Sequence, residues 1–152
     1  MSNTYTQIYV HYVFATKERC PLLQNKHQKQ IYAYLVSKSK ENECYVKAIG
    51  GTDDHIHMLV SVSPKLSISE LAKVLKGSTS HYINDLKLSL KHFEWQLGYG
   101  AFSVSQSSVG KVVDYIRTQP LHHSKVSFTD EFIELLKKYE VKFDKQYVFE
   151  QV

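Results

Sequence analysis

The chain has 152 residues, 43% of them hydrophobic and 22% charged, with a net charge of +4 and eight histidines. That excludes disordered, collagen-like and disulfide-rich classes and fits one globular domain spanning 1–152. The mild basicity permits a polyanionic partner without demanding one. Tyrosine is the unusual count, at 11.

Residues 7–15 (QIYVHYVFA) alternate, with Ile8, Val10, Tyr12 and Phe14 on one face, and predict a strand. The apolar start lacks a basic leader and does not read as a signal peptide, and no run approaches 18 apolar residues. Residues 26–40 predict a helix with Asn25 as its cap and Ile31, Tyr32 and Leu35 inward. Residues 44–50 and 55–62 predict two strands around a Gly-Gly-Thr-Asp-Asp turn. Ser67-Ile68-Ser69-Glu70 has the form of a capping box and opens a long helix over 68–87. FEWQLGYGAFSVS reads as a strand pair around Gly98-Tyr99-Gly100. Residues 108–119 predict a helix ended by Pro120, and Thr129 is placed to cap a last helix over 130–139. The tail from Val141 reads as a short strand or a loose arm. Cys20 and Cys44 have no metal or redox spacing and read as reduced thiols of a cytoplasmic protein.

This order predicts an α+β fold: a ferredoxin-like split βαβ (RRM-like) antiparallel sheet with helices on one face and a C-terminal tyrosine-bearing helix. The other sheet face is predicted to be open, a surface on which single-stranded nucleic acid can lie.

Chemistry concentrates in two places. On a strand, His55 and His57 leave the same side, about 6.6 Å apart along the chain, and two convergent imidazoles can hold one divalent ion. The plain alternative is two polar residues on a wet strand edge. Tyr115 and Gln119 stand one helical turn apart on one face. Alone they read as a packed phenol beside a solvated amide. Beside a metal, the amide oxygen completes a site and the phenol reaches the same phosphate. A phenol with a pKa of about 10 needs activation to attack.

His-hydrophobic-His on a strand, WQLGYGAFSVS, and VxxYIxxQ followed by two histidines resemble the single-tyrosine HUH transposases of insertion sequences, relatives of the repeat-associated tyrosine transposases. HYVFATKERCPLL and DDHIHMLV add to the likeness, which runs from about Tyr5 to Tyr139. The resemblance implies His55 and His57 as metal ligands, Gln119 as the third and Tyr115 as the nucleophile. It implies a Mg²⁺ or Mn²⁺ cofactor, a 5′-phosphotyrosine intermediate and a free 3′-hydroxyl. Its partners would be single-stranded DNA with hairpin-forming element ends and a second copy of the chain, the tyrosine helix of one subunit completing the other's site. Some relatives carry glycines before that helix. Here the linker is Ser105-Gln106-Ser107-Ser108, with Gly110 just inside.

His122 and His123 read as a solvated pair or as contacts to phosphate or metal. His11 reads as a structural histidine, and Asp53 and Asp54 as turn residues that can also orient the imidazoles. Lys17, Arg19, Lys73, Lys76 and Arg117 are candidate DNA backbone contacts. Two other readings compete. A ferredoxin-like module that binds single strands without cutting them would carry stacking aromatics where this third strand carries histidines. A replication initiator or relaxase shares the chemistry but often places two tyrosines on its helix. Only Tyr115 lies between Gly110 and Pro120.

Overall fold

A computed structural model describes residues 3–145 and 148. Four strands, β1 (Tyr9–Ala15), β2 (Tyr45–Gly51), β3 (His55–Ser61) and β4 (Gly100–Val104), form one sheet in the order β2-β3-β1-β4, with every pairing antiparallel. With α1 (Asn25–Glu41) between β1 and β2, and α2 (Ile68–Asp85) between β3 and β4, this is the predicted ferredoxin-like connection.

Alternation sorts the side chains. Val10, Tyr12 and Phe14 of β1 and Ile56, Met58 and Val60 of β3 point to one face, where they pack with Leu35 of α1 and Leu71 and Leu75 of α2. The opposite face is not open. It is covered by α3 (Val109–Arg117), the four-residue α4 (Gln119–His122) and α5 (Phe128–Lys138). Ile116 packs there against Tyr9, Ala48 and Leu59, and Phe128 and Leu135 against Val13 and Phe102. The amphipathic stripes of α3 and α5 need an apolar surface, and the odd-numbered positions of β1 supply one. Hence β3 is buried on both faces through six of its seven residues.

Several local expectations shift. Ser67 does form the capping box with Glu70. Gln24, not Asn25, precedes α1, without a side-chain cap bond, and Ser127, not Thr129, caps α5 by accepting from the Asp130 N–H. The predicted strand pair is one interrupted edge. Trp95 bridges Thr16, just past the end of β1, and β4 pairs with β1 from Val13↔Gly100, so residues 96–99 face only 14–15 and bulge by two. Gly98 in that bulge has φ +80°, which glycine tolerates best, and Lys76 Nζ donates to the carbonyls of Gln96 and Gly98 at 2.8 and 2.6 Å. The tyrosine helix ends at Arg117 and Gln119 opens α4, with Pro120 in its first turn, where the missing N–H costs nothing. Residues 141–144 hold no regular structure, and most of the tail beyond Lys145 lies outside the described residues. No helix among the described residues is long and apolar enough to cross a membrane.

Candidate active site

The imidazoles of His55 and His57 leave the face of β3 covered by α3–α5, and both are fully buried. Their rings lie 5.2 Å apart between centroids. Each is held from behind. His55 Nδ1 is 2.7 Å from Asp54 Oδ1 and 2.9 Å from Thr52 Oγ1, which fixes the ring and turns Nε2 inward. Burial raises the Asp54 carboxyl, but its contacts to His55 outweigh that and hold it below the usual range. His57 Nδ1 meets His11 Nε2 on the neighbouring strand. Burial pushes both of these imidazoles down, His11 to about 3, which favours their neutral forms.

Gln119 sits opposite, fully buried, with Oε1 2.8 Å from His55 Nε2. Tyr115 is one turn earlier, its ring 5.6 Å from that of His57. The four residues singled out in the sequence therefore converge, and within a single chain.

At their centre is a residue the sequence reading missed. Glu131 of α5 is 3% exposed. Its Oε1 lies 2.9 Å from His57 Nε2, 3.0 Å from His123 Nε2 and 3.7 Å from His55 Nε2. Its Oε2 accepts from the Tyr115 hydroxyl and, at 2.9 Å, from Gln119 Nε2. A signal existed. Glu131 interrupts the apolar stripe Phe128, Phe132, Leu135, and a carboxylate on a buried stripe needs partners. Burial favours its neutral form, but the surrounding imidazoles and phenol win and hold it ionised, far below the usual carboxylate range. Burial pulls His123 down, and the same carboxylate more than offsets that. Burial and the carboxylate together push the Tyr115 phenol well above its ordinary value.

The donor set fits a divalent cation. Ligand atoms of His55, His57, His123 and Glu131 all lie within 4.8 Å of one another. His123 Nε2 is buried and meets Glu131 Oε1 at 3.0 Å as an ion pair, without a regular hydrogen bond. A buried imidazole nitrogen held beside a carboxylate by charge alone offers a metal a ready donor pair.

Two cavities flank the cluster. One, of about 520 Å³, is lined by His11, Lys111, Tyr115, His122, Glu131 and Lys138. The other, of about 470 Å³, reaches Asp53, Asp54 and His123. The five cations proposed for DNA lie elsewhere. Lys17, paired with Glu94, and Lys76 line a separate cleft of about 690 Å³. Lys73 and Arg117 are exposed on α2 and α3, and Arg19 occupies a left-handed turn at φ +54°. Lys111 and Lys138 are the lysines beside Tyr115.

A family model described as "Transposase IS200 like" matches residues 4–119. The chain belongs to the IS200-like transposase family. It is 30% identical over 114 residues to the transposase for insertion sequence element IS200 of Salmonella typhimurium, covering 72% of this chain and 74% of that one. The ISDra2 transposase TnpA of Deinococcus radiodurans is 24% identical over 118 residues, covering 74% and 84%. Among solved structures, a putative transposase from Deinococcus radiodurans superimposes with a TM-score of 0.62 at 20% identity, over 78% of this chain and 95% of that one. A REP-associated tyrosine transposase bound to a REP hairpin gives 0.62 at 13% identity, over 100% and 92%. The transposase family match ends at Gln119, so Glu131 and His123 both lie outside it.

Proposed function

We propose that this transposase cuts and rejoins single-stranded DNA through Tyr115, with Mg²⁺ or Mn²⁺ held by His55, His57 and Gln119. The observation that carries the reading is the 2.8 Å approach of Gln119 Oε1 to His55 Nε2, which sets the amide, the imidazole pair and Tyr115 around one point. Tyr115 Oη attacks the phosphorus and the P–O3′ bond breaks, leaving a 5′-phosphotyrosine and a 3′-hydroxyl. The phenol loses a proton and the departing 3′ oxygen gains one, so the step is proton-neutral overall. Attack by a 3′-hydroxyl reverses it, and the conserved phosphoester energy makes ATP unnecessary.

The cation, when bound, polarises the phosphodiester and offsets the negative charge that disfavours the phenolate. The chain's own groups do the rest. Asp54 and His11 orient the imidazoles, and Glu131 aims the phenol. Burial and the Glu131 carboxylate favour the protonated phenol.

In this reading the chain acts as one catalytic domain in the cytoplasm, pairs as a homodimer and recognises hairpin-forming DNA ends; the similar REP-associated tyrosine transposase is bound to a REP hairpin. Lys17, Arg19, Lys73, Lys76 and Arg117 then meet the DNA backbone outside the site. Exchange of α3 between subunits would bring the same groups together in trans. A non-cutting stacking module is disfavoured because α3–α5 cover the face it would use.

The test is a set of hairpin-forming single-stranded oligonucleotides incubated with protein and Mn²⁺ and resolved on a denaturing gel. A covalent adduct is expected, absent in chelator and in Tyr115→Phe. An undiminished adduct in Tyr115→Phe excludes the assignment.

A further inference from the structure

We infer that Glu131 is an anionic ligand of the metal and, through its second oxygen, the group that holds the Tyr115 hydroxyl. The inference rests on the proposed reading and adds to its ligand set a carboxylate and the imidazole of His123, both from outside the matched segment 4–119.

The two carboxylate oxygens face different ways. Oε1 looks toward the nitrogens of His57, His123 and His55 at 2.9, 3.0 and 3.7 Å. Oε2 looks toward Tyr115 Oη and Gln119 Nε2. Ligands about 2.1 Å from one ion stand about 3 Å apart when octahedral and about 3.4 Å when tetrahedral. The 2.9 and 3.0 Å separations match that spacing as well as a hydrogen bond, the 3.7 Å one is longer than either, and all four ligand atoms lie within 4.8 Å of one another. His123 supplies an independent sign, since its buried Nε2 points at Oε1 without a regular hydrogen bond. The position of Glu131 adds another. An ion on an apolar helix face is retained where a counter-ion meets it.

Three imidazoles, one carboxylate and the Gln119 amide oxygen form a borderline donor set. It suits Mn²⁺, Co²⁺ or Zn²⁺ better than Mg²⁺, which prefers oxygen and keeps its water. Because one carboxylate touches both metal and phenol, loading the metal also sets the direction of the nucleophile.

The full chain, stripped of metal and free of DNA, is titrated with Mn²⁺ and the unbound ion is followed by its electron paramagnetic resonance signal. Glu131→Gln keeps the shape and removes the charge, and is expected to weaken Mn²⁺ binding at least tenfold. His123→Ala is expected to weaken it by a similar factor. Tyr115→Phe is expected to bind Mn²⁺ within twofold of the wild type. Mg²⁺ is expected to compete at least a hundredfold less well. Mn²⁺ affinity within twofold of wild type in folded Glu131→Gln overturns the inference. If that variant does not fold, the same result in His123→Ala overturns it. These outcomes are separate from the adduct assay: loss of adduct in Tyr115→Phe with unchanged binding in Glu131→Gln sinks this inference and leaves the proposed function standing.

Discussion

His11 Nε2 lies 2.7 Å from His57 Nδ1, across the β1–β3 pairing. The contact fixes which His57 nitrogen is free to bind and leaves Nε2 facing Glu131. Removing such an orienting partner typically weakens a metal site about 10–100-fold. His11→Ala is therefore expected to lower Mn²⁺ affinity by about that factor, with His11→Gln recovering part of it. Calorimetric titration measures both, and affinity within twofold of wild type in His11→Ala would show that His11 is only packing.

Two glycines should respond to alanine with opposite signs. A Cβ on Gly50 would stand 2.4 Å from the carbonyl oxygen of Ile116, in the helix that carries Tyr115. Gly50→Ala is expected to destabilise by about 1–3 kcal/mol through overpacking and to slow adduct formation by displacing α3. Gly77, inside α2, has nothing within 4 Å of its Cβ position. There alanine is expected to stabilise by about 0.5–1 kcal/mol. Thermal melts of the two variants decide it.

Lys76 makes a pH-dependent contribution. Burial pulls its ammonium down to about 8. The unfolded chain keeps the ordinary value near 10.4, so between these two pH values the unfolded state binds more protons and stability rises with pH. Below about pH 8 the cost of burying the charge is present in full. Lys76→Met should flatten this rise, and urea midpoints of both proteins at pH 7.5 and 10 will show whether their difference changes.

Ser127 caps α5 by accepting from the Asp130 N–H at 3.2 Å. Ser127→Ala is expected to cost about 1 kcal/mol. Because α5 carries Glu131, amide exchange in 128–138 should quicken before the rest of the chain responds. Uniform exchange across the sheet and α5 alike would contradict this.

The fold and half of the site were legible in the sequence, for physical reasons. Alternation in YVHYVFA and HIHMLVS, and the capping box at Ser67, are local signals that the structure keeps. His55, His57, Tyr115 and Gln119 carried fixed spacings of two and four. Glu131 carried none. Its role depends on α5 folding back over the histidines, a long-range event set by Phe128 and Leu135 packing on Val13 and Phe102. His11 was singled out as a structural histidine, but its bond to His57 was not legible, since that partner is set by strand register. The covered sheet face was missed because α3 and α5 read as helices without saying which surface they seek.

That cover dictates how a substrate strand arrives. With the histidine face roofed, nucleic acid has no flat table to lie on. Tyr115 lines the trough walled by α3 and α5, with Lys111 on one bank and Lys138 on the other. A cavity of about 520 Å³ holds a short stretch of single backbone with its phosphate leading and leaves no room for a paired second strand. Selection for unpaired DNA would then begin at the doorway, before any base is read.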